Sequence, residues 1–347
     1  MFTNARLGCI LMVSLLCTGA ALAQQSGPRT EAGKGRFSLD VVVTPKSGPP
    51  VTGLQQQDFT ILDNESPQTI ASFAEVNSRE AATAIILVID AVNATAQSLD
   101  YTRLQLEKFL RDDGGRLAYP TALAVFTDKG IQIAQNFSSD GNSLASALQQ
   151  DNIGLRFIGH DTGYQGAVEL NNLSLQALNQ LLSSEVPRPG NKAMIWLSPG
   201  WPLLSGVNTE LTSDQQKQIF GNIVSFSTLF RNARVTLYSI NPLGAGQPFE
   251  SGFFYKDFLK GISKPEQSNL GDLGLPVFAV QSGGLAFDFA NDIDGTLHQC
   301  VADLAPYYEI SFDPPPAKRP NEYHQLEIKL ANPGLTARAR QGYYAQP

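Results

Sequence analysis

The residues best suited to chemistry in this sequence lie in one short stretch, LVIDAVNATAQS at positions 87–98. An apolar run ends at Asp90, and two side chains that carry oxygen atoms, Asn93 and Thr95, follow it. A carboxylate in this setting can ligate a metal ion, since hard cations such as Mg²⁺ prefer oxygen ligands. The same carboxylate can instead accept N–H hydrogen bonds where the next helix begins, because negative charge is favoured there. The residues alone leave both interpretations open.

Other catalytic groups are few. Of the three histidines, only His160 lies beside polar neighbours in a loop, Asp161 and Thr162. His298 adjoins the apolar stripe of a predicted helix and His324 lies in a predicted strand, so both are predicted to be structural. The sequence has no HExxH, paired CxxC or GxxxxGK[ST] motif and no nucleophile elbow. A hydrolase built on His160 and Asp161 therefore stays an alternative to a non-catalytic protein.

The first residues have the pattern of a secretory signal peptide. Arg6 precedes an apolar run that ends in ALA at residues 21–23, with the small residues Ala21 and Ala23 where a cleavage site needs them. This run is shorter than the roughly 20 residues that a membrane span needs. We predict a signal peptide at residues 1–23 that is cleaved after Ala23, a linker at residues 24–35, and a periplasmic or secreted protein.

Composition limits the partners and the covalent chemistry. Cleavage would leave Cys300 as the only cysteine, so no internal disulfide could form. Cys300 falls on an apolar helix stripe, where a thiol behaves as a small apolar group. The net charge of −7 gives the chain no basic footprint for nucleic acid or anionic lipid. The predicted partner is another envelope or extracellular protein, without membrane insertion.

Hydrophobic patterns predict two kinds of structure. FSLDVVVTP and DFTILDNESPQTIASFAEV near the start, and YYEISFDP, YHQLEIKL and LTARARQGYY at the end, alternate as half-buried strands do. Between them, continuous apolar runs such as AIILVID and AMIWLSP alternate with amphipathic helices. This order predicts an α/β fold with a doubly wound, mostly parallel sheet, inserted in a smaller β domain that both chain ends build together.

We place the β-sandwich-like domain at residues 36–80 plus 306–347 and the α/β domain at residues 81–305. The turn at residues 128–130 predicts an antiparallel hairpin, and Ser98 is the predicted cap of the first helix. In open α/β sheets, ligands bind beyond the carboxyl ends of the strands, where the strand order reverses. If the AIILVID strand lies at that point, Asp90 is at its tip, beside Ser198.

These features together resemble a von Willebrand factor type A (VWA) domain, which has a Rossmann-like sheet. The apolar strand that ends in Asp90, the hairpin after it and the later IWLSPGWP are similar to that family. VTGLQQQDFTILDNESPQTIASF and LTARARQGYY resemble the exported VWFA-related proteins described mainly from acidobacteria. The resemblance covers the chain from about Phe37 to Tyr344.

The resemblance also implies where Mg²⁺ would bind. Type A domains use a DxSxS motif, a threonine from a second loop and an aspartate after the fourth strand. Here Asp90 remains, but Val92 and Ala94 stand at the serine positions and Pro199 stands at or beside the aspartate position. Mg²⁺ demands near-octahedral oxygen coordination, so the motif is degenerate and no bound cofactor is expected, with Mg²⁺ as the alternative. The remnant ligands of such a site are Asp90, Asn93 and Thr162.

A long excursion at residues 241–276 is rich in aromatic residues and follows a predicted strand. Loops of this length in compact domains are often functional. We predict a partner-binding rim beside Asp90 that includes Trp201, Phe249, Phe253, Phe254 and Tyr255. The alternative is that these rings form a small satellite core that pins the loop.

The leading hypothesis is an exported, non-catalytic protein-binding module that uses the rim of its sheet, without a bound metal. A Mg²⁺-dependent adhesion module that uses Asp90, and an uncharacterised hydrolase, are the alternatives.

Overall fold

A computed structural model describes residues 35–77, 83–150, 164–201, 211–242, 254–288 and 290–347. The predicted signal peptide, nearly all of the linker, and the predicted site residues Thr162, Phe249 and Phe253 lie outside the described residues, as do His160 and Asp161. None of the described helices is long and apolar enough to span a membrane.

The described strands are β1 (Phe37–Pro45), β2 (Phe59–Asp63), β3 (Ser66–Gln68), β4 (Ile70–Val76), β5 (Thr83–Asp90), β6 (Arg116–Thr127), β7 (Gly130–Asp140), β8 (Asn191–Leu197), β9 (Val235–Ile240), β10 (Ala286–Phe287), β11 (Tyr307–Phe312), β12 (Glu322–Leu330), β13 (Leu335–Arg338) and β14 (Gly342–Ala345). The described α-helices are α1 (Ala96–Arg111), α2 (Gly141–Leu148), α3 (Tyr164–Glu185), α4 (Ser213–Asn232), α5 (Leu275–Gln281) and α6 (Ile293–Ala302). Short 3-10 turns lie at Gln56–Asp58, Asp112–Gly115, Phe254–Phe258, Pro265–Gln267 and Leu270–Leu273.

The central sheet has the strand order β10-β9-β8-β5-β6-β7. Its strands are parallel except for β7, which pairs antiparallel with β6. Side chains alternate across β5, so Ile86 and Val88 enter one apolar core while Ile85, Leu87 and Ile89 enter the other. Burial on both faces explains the continuous apolar run in the sequence. The predicted α/β fold class, with its antiparallel hairpin, is confirmed.

The strand order reverses at β5. The chain leaves β5 through α1 and returns as β6 on one side, whereas β8 pairs with β5 on the other side. Both neighbours are parallel to β5, so the three carboxyl ends meet at one edge. This edge is the usual ligand position in open α/β sheets.

The two chain ends form two further four-stranded sheets, ordered β13-β1-β11-β4 and β14-β12-β2-β3. In each sheet a strand from the start of the chain pairs with one from the end, β1 with β11 and β2 with β12. Both sheets contribute to one apolar core, in which the ring centroids of Phe59 and Tyr308 are 5.0 Å apart. The predicted insertion of the α/β unit between the chain ends is therefore confirmed, and the residue limits of the two domains stay a prediction.

Local details differ from the sequence-based expectations. Thr95, not Ser98, caps α1: its side chain accepts the Ser98 N–H, and Ser98 donates back, so the helix begins before the predicted cap. The predicted strand pair at residues 59–76 is split, because only β3 pairs with β2 whereas β4 crosses to the other sheet. Helix α2 was absent from the sequence prediction.

Candidate functional site

Strand β5 places Asp90 at the carboxyl edge of the central sheet, where it is 1% exposed. Strand β8 runs alongside, so that Val88 lies opposite Trp196 and Ile89 opposite Leu197. The first residue after β8, Ser198, therefore reaches the tip of β5. We call the carboxyl-terminal rim the set of described segments at this edge, residues 91–94, 198–201 and 254–258 together with Asp288.

Five donors surround the Asp90 carboxylate. Oδ1 accepts the backbone N–H groups of Val92 at 3.1 Å and Asn93 at 2.9 Å. Oδ2 accepts Asn93 Nδ2 at 2.9 Å, Trp196 Nε1 at 3.2 Å and Ser198 Oγ at 2.8 Å. A carboxylate offers about four lone-pair positions, so these donors saturate it.

Burial raises the pKa of Asp90, because removal from water disfavours its charged form. The hydrogen bonds from Asn93, Ser198 and Trp196 act in the opposite direction. The carboxylate therefore depends on its protein donors to compensate for lost hydration.

The network extends from Asp90 to α3. Asn93 Nδ2 also donates to Ser174 Oγ at 3.0 Å, and Ser174 Oγ donates to the Leu170 carbonyl at 2.8 Å. Since Asp90 and Ser174 both need a donor from Asn93, the amide nitrogen must face them. The turn after β5 is thereby tied to both the sheet and a flanking helix.

The described residues do not fit a Mg²⁺ ion. Both oxygens of Asp90 are already occupied by donors, and Val92 and Ala94 supply buried apolar side chains at the next two motif positions. Asn93, predicted as a remnant ligand, turns its amide nitrogen to Asp90, so its Oδ1 is the one oxygen that its side chain could offer and it points away from the carboxylate. Within the described part of the chain, no group of three or more His, Cys, Asp or Glu could hold a metal. Thr162, the third predicted ligand, lies outside it.

Two of the predicted rim aromatics lie beneath the surface. Trp201 is 6% exposed and packs edge-on against Trp196, with centroids 5.7 Å apart, and against Phe278. Tyr255 is 7% exposed. Both rings are packed into the protein, and their membership of a partner-binding rim stays a prediction. Phe254 is partly buried against Phe258, at a centroid distance of 5.9 Å.

Asp288 is a rim residue that the sequence interpretation missed. It directly follows β10 and forms a hydrogen bond with the side chain of Tyr255. Burial raises the pKa of Asp288 to about 6, while Lys256 and the Tyr255 hydrogen bond act against the shift. A two-residue strand has too little pattern to reveal such a position in the sequence.

Two buried polar atoms near Asp90 have no hydrogen-bond partner within the described chain, Asn93 Oδ1 and Trp201 Nε1. Burying a polar group unpaired costs about 1–3 kcal/mol. One atom is an acceptor and the other a donor, so this edge has unused hydrogen-bonding capacity of both kinds.

The two histidines and the cysteine that the structure describes lie away from this edge. His324 Nδ1 is 2.8 Å from Asp63 Oδ1 in the sandwich, and Tyr343 donates to the same carboxylate. His298 is half-exposed near Asp294, on α6. Cys300 is buried, and burial raises the pKa of its thiol. The buried surroundings of His324 and Cys300 agree with the structural roles predicted for them, whereas His298 is exposed beside Asp112 and Asp294.

No model of a known protein family matches the chain, and no curated protein matches it. Among solved structures, the conserved hypothetical protein BatB from Bacteroides thetaiotaomicron is 14% identical, with a TM-score of 0.35 over 64% of this chain and 98% of that chain. The VWA domain of SpRpn10 is 10% identical, with a TM-score of 0.23 over 46% of this chain and 74% of that chain. The manganese-loaded TRAP protein of Plasmodium vivax is 12% identical, with a TM-score of 0.34 over 81% of this chain and 100% of that chain. All three TM-scores are low, so the fold of this chain is assigned from its own strand order.

Replacing Asp90 by alanine should lower the free energy of unfolding by about 3–5 kcal/mol, because it leaves five hydrogen-bond donors without their acceptor. Ser198→Ala should cost about 1 kcal/mol, since it removes one donor. Urea unfolding measures both, and the only two tryptophans, Trp196 and Trp201, report it by fluorescence. Asp128→Ala, at an exposed carboxylate in the β6–β7 turn, is the matched control. An Asp90→Ala protein as stable as this control would refute the structural role.

Replacing Asp288 by asparagine should stabilise the protein at pH 7.5 by about 1 kcal/mol. The folded pKa of about 6 lies above the ordinary value of 3.8, so ionisation of Asp288 costs stability as pH rises between these values. The variant avoids that cost, and its advantage should vanish near pH 3.5. Thermal melts across this range test the idea, and an advantage independent of pH would contradict it.

Proposed function

We propose that this chain is an exported, non-catalytic module that binds another protein through the carboxyl-terminal rim, without a bound metal. The observation that supports this most is the saturation of Asp90: the side chain in the position for ligand chemistry is used up by Val92, Asn93, Trp196 and Ser198. Because Asp90 has no free oxygen atom to bind a ligand, we expect a partner to bind through contact with the surface of the rim.

The composition of the rim supports contact with a protein. Phe254 and Phe258 are partly buried, whereas Lys256 and Asp257 between them are exposed. Aromatic rings bordered by charged groups are typical of protein interfaces. Trp201 and Tyr255 are packed into the protein, Trp201 against Trp196 and Phe278, and add little exposed ring surface in this conformation.

The two unpaired atoms near Asp90 add a second argument. Asn93 Oδ1 and Trp201 Nε1 are an acceptor and a donor without partners in the described chain. A protein backbone carries both complementary groups at every residue except proline. A small local opening of the rim would let a partner satisfy them.

Capture from the native envelope tests the proposal. The immobilised wild-type protein should retain a partner, and washing with EDTA should not release it, because no divalent cation takes part. Phe254→Ala should weaken binding of the purified partner at least 10-fold, as truncation of an interface aromatic commonly does. Leu104→Ala, at a ring-free apolar side chain that is 62% exposed on α1, is the control and should bind like wild type.

Each alternative has its own readout in this experiment. If EDTA releases the partner and Mg²⁺ or Mn²⁺ restores its binding, the result would favour the metal-dependent adhesion module that uses Asp90. Equal capture by the Phe254→Ala variant, with its melting temperature unchanged, would refute the rim as the contact surface. Turnover in an esterase and peptidase screen that His160→Ala abolishes would favour the hydrolase.

A further inference from the structure

A cavity of about 620 Å³ lies at the other end of the central sheet. The first residues of β5, β8 and β9 line it, which places it at the amino-terminal edge, away from Asp90. The opposite wall comes from β1 and β11 of the sandwich and from the last residues of the chain. Its volume is within the range of pockets that hold small molecules, and it is separate from the rim.

The cavity has more positive than negative side chains. The basic residues that line it are Arg36, Lys192, Arg231, Arg234 and Arg340. The acidic ones are Asp40, Asp303 and Glu309.

Some of these charges are already satisfied by neighbours. Arg36 pairs with Asp313, and Asp303 pairs with Arg338. Lys192 Nζ donates to carbonyl oxygens at the end of α3. Three arginines remain, Arg231, Arg234 and Arg340, together with the carboxylates of Asp40 and Glu309.

Arg231 and Arg340 form no ion pair with any described residue. Burial lowers the pKa of both guanidinium groups, and the charge of Arg231 lowers that of Arg340 further, to about 10. The guanidinium carbon of Arg231 lies 5.8 Å from the ring centroid of Phe37, which adds a cation–π contact but no negative charge. Two like charges in a partly desolvated space lower their free energy when an anion joins them.

The two remaining carboxylates of the cavity do not neutralise Arg231 and Arg340 as a bound anion would. Asp40 and Glu309 lie directly opposite each other on β1 and β11, so their charges repel. Burial and Glu309 raise the pKa of Asp40 to about 6, against the influence of Arg234 and Arg340. Asp40 faces the cavity, where the surrounding protein atoms limit its contact with bulk water although its own surface stays accessible.

We propose that this cavity binds a small organic anion whose carboxylate or phosphate group is held by Arg231 and Arg340. The planar guanidinium group matches both oxyanions in two-point hydrogen bonding. Val42, Pro314 and Pro315 line the cavity with partly exposed apolar side chains for the body of the ligand.

Thermal unfolding of the purified protein tests the site with defined probes. Inorganic phosphate, phenyl phosphate and succinate are each titrated against sodium chloride of equal ionic strength. At least one oxyanion should raise Tm saturably, by about 2 °C or more, and the pattern separates phosphate from carboxylate recognition. Phenyl phosphate should act at lower concentration than phosphate if the apolar wall takes part.

Variants assign the effect to the two arginines. Arg231→Gln and Arg340→Gln should each weaken the response at least 10-fold, whereas Lys217→Gln, at an exposed cation on α4, should respond like wild type. If a glutamine variant does not melt cooperatively, the lysine variant at the same position replaces it in the test. Lysine keeps the charge but loses the two-point geometry, so its response should also be weaker than that of the wild type. No oxyanion effect beyond chloride, or an undiminished effect in the arginine variants, would overturn the proposal.

Discussion

A single buried carboxylate joins the segments at the carboxyl edge of the central sheet. Asp90 ends the central strand of the central sheet at 1% exposure, where an unpaired charge would cost several kcal/mol. Its five donors come from the turn after β5, from β8 and from the residue after β8. The same bonds that stabilise the charge therefore join the end of β5 to strand β8 and to two segments of the rim, residues 91–94 and 198–201. They also leave neither oxygen atom of the carboxylate free to bind a cation.

The two ends of the central sheet consequently differ in what they offer a ligand. At the carboxyl end, the charged group is neutralised by donors from the protein, and packed aromatic rings such as Trp201 support the surface. At the amino end, Arg231 and Arg340 have no ion pair in the described chain and face a cavity. Capacity for ions thus lies at the end opposite to the one that the fold resemblance implies. The two ends can serve different ligands without competing.

Local patterns predicted the parts of the fold that rest on local physics. The continuous apolar run of β5 indicated a strand buried on both faces with Asp90 at its tip, and too few strands at each chain end indicated that the ends pair. Other features depend on tertiary register. The alignment of Val88 with Trp196 brings the indole N–H to Asp90, and no spacing within either segment reveals it. Counting aromatic residues does not tell which way Trp201 faces, and Arg231 and Arg340 are brought together only by the pairing of the chain ends.

A high-resolution crystal structure of the protein grown with millimolar Mn²⁺ shows whether Asp90 binds a metal ion, because the anomalous signal of manganese marks any bound ion. We expect no manganese at Asp90, with Trp196 Nε1 and Ser198 Oγ both within hydrogen-bonding distance of its carboxylate. A manganese ion bonded to a carboxylate oxygen of Asp90, completed by waters or other oxygens and with these donors displaced, would contradict the account.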